Sequence, residues 1–326
     1  MPGAILLLLL TVHLSGAALE MLPEYARPDP FGGLVAPDQG ASTTPVALRG
    51  ARGGWVSFQL VIKLKEPGPY RLDLRLKSPD GGVQAEVFRE WFHWVPRQRR
   101  YYPDALVPVS LPISSSLPEP DNRIEKQFAQ AYWVDLWIPK DARPGLVRGE
   151  ARLEARGRTE RLPFELEVLD ARIPDEEVPT VDHNSYGSSW LAGFYKDPGE
   201  SDPEFFSSDR FFELIHAHHR IFYEHRGVFH QLGYGHGGRV GPEFAPALTG
   251  SGRGRRIADW TLFDRHYGPL LDGSAFAGAR RGRRPIRFVY LPVNPEWPAS
   301  FLWWGEPAYE IEFVNVVSEM ERHFRE

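Results

Sequence analysis

Cysteine is absent from the 326 residues. Disulfides, lipidated cysteines and thiolate nucleophiles are thereby excluded together. The chain also lacks a Gly-x-Ser-x-Gly elbow and a phosphate-binding P-loop. Its leading apolar run, residues 5–10, falls well short of the ~20 residues that span a bilayer. Neither sign of charge dominates. Thirty-eight Lys and Arg against 43 Asp and Glu leave a formal charge of −5, which argues against a general binder of polyanions such as nucleic acid. Two basic runs, Arg253-Gly-Arg-Arg256 and Arg280-Arg-Gly-Arg-Arg284, lie in glycine-rich segments and read as solvated loops.

Aromatic rings are plentiful, with 10 Trp and 12 Tyr. Packing accounts for most rings in most proteins, because each buries a large apolar area. Stacking on the faces of sugar rings is the functional use to weigh against it. The first twenty residues resemble a secretory leader: the apolar run is followed by the small residues Ser15, Gly16, Ala17 and Ala18, although no Lys or Arg precedes it. The leader is expected to end at residue 18, which makes the chain secreted or periplasmic, with a cytoplasmic location as the alternative.

Residues 127–168 organise the rest. Tyr132, Val134, Leu136 and Ile138 alternate with Trp133, Asp135 and Trp137, the period of a half-buried strand. Pro139 ends it, and Asp141, Pro144 and Gly145 supply turn chemistry. Val147, Gly149, Ala151 and Leu153 form a second alternating set, and Leu162, Phe164, Leu166 and Val168 a third. The pattern predicts an antiparallel meander with one polar face. Earlier strands are expected at 56–64, 70–76 and 83–95, with an ill-defined lead-in at 21–50 and a Ser/Pro-rich loop at 110–122. Short alternating strands at this spacing predict a β-sandwich over residues 19–172.

The wording of the stretch adds to its pattern. Tyr-Trp-Val-Asp-Leu-Trp-Ile-Pro-Lys-Asp-Ala-Arg-Pro-Gly-Leu-Val-Arg-Gly-Glu, preceded by Tyr102-Pro-Asp-Ala-Leu-Val-Pro108, resembles the N-terminal β-sandwich of glycoside hydrolase family 123. The resemblance covers residues 100–155 and identifies an accessory domain.

Composition shifts at residues 173–179, a Pro- and acid-rich linker. Beyond it the rhythm alternates strand and helix: strands at 178–186, 227–232 and 287–292, and helices from Asp202, at 257–271 and at 307–324. The helix from Asp202 is predicted to turn Phe211, Leu214, Ile215, His218 and Phe222 to its apolar side. Repeated strand–helix units predict a parallel sheet. Three such units over 180–326 amount to an incomplete (β/α)8 TIM-type barrel, so the predicted fold is multidomain, β then α/β.

In such a barrel, sites gather at the C-terminal strand ends. That rule selects His183, Asn184 and Tyr186, then His230 and Gln231, then Asn294, Glu296 and Trp297 as candidate substrate-binding residues. His216, His218 and His219 share one helix without the carboxylate spacing of a zinc protease, so no metal or other cofactor is expected. The resemblance implies more. Enzymes of family 123 are β-N-acetylgalactosaminidases in which the substrate's own acetamido oxygen attacks, assisted by an adjacent Asp–Glu pair, one of the departures from two-carboxylate glycosidase chemistry. That pair ends a middle strand of the barrel, beyond the third helix. Asp175-Glu176 precedes the first strand and does not fit, so no catalytic residue is assigned and the chain alone is expected to be inactive. A carbohydrate partner carrying 2-acetamido sugars is the expectation; a non-catalytic carbohydrate-binding or surface protein is the alternative.

Overall fold

A computed structural model describes residues 17–35, 46–77, 82–176, 181–186, 189–232, 241–289, 291–292, 297–298 and 305–325. The chain divides into two compact units, Met1–Pro174 and Asp175–Glu326.

Among the described residues the first unit holds ten strands: β1 (Ala17–Pro23), β2 (Leu48–Arg52), β3 (Gly54–Leu64), β4 (Gly68–Lys77), β5 (Gln84–Val95), β6 (Arg100–Val109), β7 (Ile113–Leu117), β8 (Ala129–Ile138), β9 (Gly145–Ala155) and β10 (Arg158–Arg172). They form two five-stranded sheets, ordered β1-β3-β8-β5-β6 and β2-β10-β9-β4-β7. All pairings are antiparallel except β2 with β10. The sheets pack face to face over one apolar core that includes Phe58, Leu60, Tyr132, Val134, Leu72, Leu153 and Leu166. Phe58 meets Phe164 at 5.2 Å between ring centres, and the hydroxyls of Tyr70 and Tyr132 bond at 2.6 Å across the seam. Burial of each such side chain is worth about 1.5–3 kcal/mol. The exposed pairs Arg49–Glu167, Arg148–Glu165 and Arg161–Glu150 add at most ~1 kcal/mol each, so the seam holds the unit together.

The predicted meander is corrected at its first turn. β9 does pair antiparallel with β10, but β8 pairs with β3 and β5 in the opposite sheet. Residues 139–144 therefore cross between sheets. The reason is burial: the alternating apolar faces of β8 and β9 cover one another across the core, which a hairpin in one sheet would leave open. The second face of β8 is not solvated either. Ala129, Ala131, Asp135 and Trp137 are all buried. Residues 24–35, expected as loose lead-in, lie over this sheet. Pro30 O accepts from Phe128 N and Ala129 N, while Gln59 Nε2 donates to the carbonyls of Pro23, Glu24 and Ala26. β1 starts at Ala17, inside the expected leader, and β7 lies within the expected 110–122 loop. Pro103 and Pro108 sit on β6, an edge strand, where a missing N–H costs no ladder bond.

The second unit contains β11 (Val181–Tyr186), α1 (Ser189–Tyr195), α2 (Asp202–Phe206), α3 (Asp209–Glu224), β12 (Gly227–Leu232), β13 (Ala247–Thr249), β14 (Arg256–Asp259), α4 (Thr261–Leu271) and α5 (Pro307–His323). β11 and β12 pair in parallel; β13 and β14 make an antiparallel hairpin. The helix predicted from Asp202 is two helices. Ser201 caps the first through a capping box with Glu204, and Ser208 caps the second by accepting from Phe211 N. The predicted 257–271 helix begins only at Thr261, because its first residues belong to β14. No strand forms at 287–289 or 291–292, and Phe288 is 50% exposed. Among the described residues the parallel sheet thus has two strands, which is short of the three units predicted.

Candidate functional site

The parallel pairing sets the geometry of the candidate site. Asn184 is the register partner of His230, His183 of Phe229, Ser185 of Gln231 and Tyr186 of Leu232. Both strands run the same way, so their C-terminal ends lie side by side, and five of the sequence-selected residues share that end. The position of β12 is fixed by packing against α3. Phe229 stacks on Phe222 at 5.1 Å and 14°, and meets the His219 ring edge-on at 5.1 Å. Phe229 is in turn part of an apolar cluster with Leu191, Phe205, Phe211 and Ile215.

The third strand end contributes differently. Asn294 and Glu296 lie outside the described residues. Trp297 was expected on an open loop as a stacking ring, and the structure corrects this. It is 5% exposed, packs with Phe263, Val316 and Met320, and donates its indole N–H to Pro246 O at 3.0 Å. A ring so enclosed is a packing residue.

Behind β12 lies a polar cluster that the sequence reading had only in part. The buried face of α3 carries Phe211, Phe212, Ile215, His219 and Tyr223, so His219, rather than the expected His218, is the core histidine. His266 of α4 is fully buried beside it, with ring centres 5.7 Å apart. Its Nδ1 bonds Glu243 O at 2.9 Å, and its own carbonyl is bonded by His216 Nε2 at 2.8 Å. Burial pushes the His266 imidazole down to about 3 and also lowers His216. The Glu243 carboxyl, buried with little compensation, is pushed up to about 7. It can therefore hold or release a proton near neutrality, as an acid–base group must. His266 was legible in principle, since it falls in step with Phe263 and Leu270 on one helix face. Glu243, in a Gly- and Pro-rich segment, gave no signal. Among the described residues, no three His, Asp or Glu have the arrangement of a metal site.

The basic runs are solvated only in part: Arg253, Arg256, Arg283 and Arg284 are exposed, as expected, while Arg255, Arg280 and Arg281 are not. Arg281 is buried, lies 4.5 Å over the Tyr223 ring, and donates to Tyr223 O at 2.6 Å and Asp175 O at 2.9 Å. It thus satisfies a carbonyl in the last turn of α3, where a cation is favoured. Arg284 pairs with the Asp175 carboxylate at 3.0 Å. In the other run Arg255 donates to Gly250 O at 2.9 Å and Pro298 O at 3.1 Å, and lies 3.7 Å from Glu312 of α5.

No protein-family model and no curated protein matches the chain. Solved structures do. A family 123 glycoside hydrolase from Clostridium perfringens, described for glycolipid glycan hydrolysis, aligns at 14% identity and a TM-score of 0.48, over 65% of this chain and 37% of its own. A FixG-related protein from Vibrio parahaemolyticus aligns at 7% identity and a TM-score of 0.21, over 48% of this chain and 98% of its own. AvmM, which catalyzes macrocyclization in alchivemycin A biosynthesis, aligns at 9% identity and a TM-score of 0.24, over 49% and 93%. The chain therefore spans little more than a third of the family 123 enzyme, which stands among its distant structural neighbours.

Proposed function

We propose that this chain is a glycoside hydrolase-like protein that binds 2-acetamido sugars at the C-terminal ends of β11 and β12. The observation that carries the reading is the register of that parallel pair, which sets Asn184 beside His230, with Tyr186 two residues further along β11 on the same face. Amide, imidazole and hydroxyl groups both donate and accept, which suits the mixed hydrogen bonding of a sugar with an acetamido group. The sandwich supports the reading from the sequence side. The residues that resemble family 123 are β6, β8 and β9; β8 is the central strand of one sheet and β9 of the other. The resemblance thus falls on the framework of the fold. Secretion or a periplasmic location fits this use and belongs to the same proposal.

The experiment is a ligand-observed NMR titration of residues 1–326 with N-acetylgalactosamine, N-acetylglucosamine and galactose. Saturation transfer to the acetamido sugars, displaced by excess of the same sugar and much weaker for galactose, is the expected result. Equal or absent transfer for all three would remove the reading.

A further inference from the structure

The hairpin joining β5 to β6 ends in Pro96-Arg-Gln-Arg-Arg100, a basic run concealed within a net negative composition. Just behind the turn, Trp94 and Tyr101 are register partners whose rings lie 5.0 Å apart at 58°. Phe31, carried over the sheet by the 24–35 segment, meets Tyr101 edge-on at 6.0 Å. Trp94 is 50% and Phe31 42% exposed, with Tyr101 half-buried between them. The three rings make a continuous apolar strip that faces water.

The cations around the strip differ in what they do. Arg100 donates to Val35 O and so pins the 24–35 segment. Arg97 and Arg99 are exposed, and among the described residues neither has a carboxylate within ion-pair reach. Tyr102 donates to the Gln98 side chain and stiffens the turn that carries both.

We propose that this hairpin tip binds an acidic glycan. Sugar C–H faces would stack on Trp94 and Phe31, while Arg97 and Arg99 take the carboxylate or sulfate. A planar guanidinium matches either anion through two parallel bonds, and an aromatic face suits the apolar side of a pyranose. Charge density selects the glycan over other polyanions. Two uncommitted guanidiniums match a chain with one charge every one or two sugars. A nucleic acid carries a charge on every phosphate and would meet a protein of net charge −5. An anionic membrane surface is held by clusters of about four to eight cations, more than this tip offers. The proposal uses none of the residues at the β11 and β12 strand ends and does not rest on the reading given for them.

The test titrates residues 1–326 with chondroitin sulfate and polygalacturonate oligosaccharides, with dextran oligosaccharides as the uncharged control, and follows tryptophan fluorescence and heat. Two variants are compared: Trp94→Ala, and Arg97→Gln with Arg99→Gly. Arg99 sits at φ +52°, which glycine adopts at no steric cost, so the second variant keeps the fold. Saturable binding of an acidic oligosaccharide is expected, weakened about tenfold in each variant and again by raised salt, with no binding of dextran. The proposal is overturned if no acidic oligosaccharide binds, if neither variant weakens binding, or if single-stranded DNA or phosphatidylserine vesicles bind while the glycans do not.

Discussion

Glu90 lies on β5 beneath the 24–35 segment with 3% of its surface exposed. Burial pushes its carboxyl from 4.5 up to about 8, with Arg27 pulling weakly the other way. The folded protein thus keeps a proton that the unfolded chain releases. Stability is full below pH 4.5 and declines as pH rises toward 8, with a ceiling of several kcal/mol at ~1.4 kcal/mol per unit. The urea midpoint of the sandwich is expected to be lower at pH 8 than at pH 5, and Glu90→Gln should remove most of that difference; equal wild-type midpoints would contradict it. His266 has the opposite sign. Its pKa is depressed from 6.5 to about 3, so its contribution is full above pH 6.5 and is lost as pH falls toward 3. Glu243, raised to about 7, adds a loss on the alkaline side. The second unit should therefore be most protected from hydrogen exchange between about pH 4.5 and 6.5, with the acid-side loss reduced in His266→Phe. Trp297 gives the third expectation at this scale. Trp297→Ala should destabilise the second unit by about 3–5 kcal/mol, the cost of emptying an aromatic site in a core. A thermal or urea transition unchanged by that substitution would mean the ring is not enclosed.

At the scale of elements, side-chain alternation located strands far better than it paired them. The periods at 56–64, 70–76, 132–138 and 147–154 are all strands, because one face of each is apolar and must be covered. Which strand covers which is a long-range matter, and β8 and β9, adjacent in sequence, ended in different sheets. The apolar residues Phe288, Val289 and Leu291 suggest a further strand, yet residues 287–289 and 291–292 form none. The capping serines at 201 and 208 emerge only from the structure, which separates α2 from α3. One close approach tests the pairing of β9 with β10 directly. A Cβ on Gly149 would stand 2.1 Å from the Phe164 ring, and Phe164 is wedged against Phe58. Gly149→Ala is expected to cost about 1–3 kcal/mol by overpacking, read as a lowered urea midpoint. A neutral effect would show that the ring has room to move.

For the whole molecule, the two units differ in how much of each was legible. A sandwich repeats one simple rule, apolar inward on every second residue, so its strands could be read one by one. In the second unit the candidate residues were chosen by a rule about strand ends. That rule brought His183, Asn184, Tyr186, His230 and Gln231 to one edge but misplaced Trp297, whose role depends on α4, α5 and Pro246 together. Residues 17–174 are expected to fold in isolation, since their two sheets close a common core. Expression of that segment alone should give a cooperative urea transition, and a non-cooperative one would mean that the core needs the rest of the chain. The central claim concerns the strand ends of the second unit, and crystals of residues 1–326 soaked with N-acetylgalactosamine test it most directly. The account predicts sugar density at the C-terminal ends of β11 and β12, within hydrogen-bond distance of Asn184 or His230. Density confined to other surfaces, or none at saturating sugar, would contradict it.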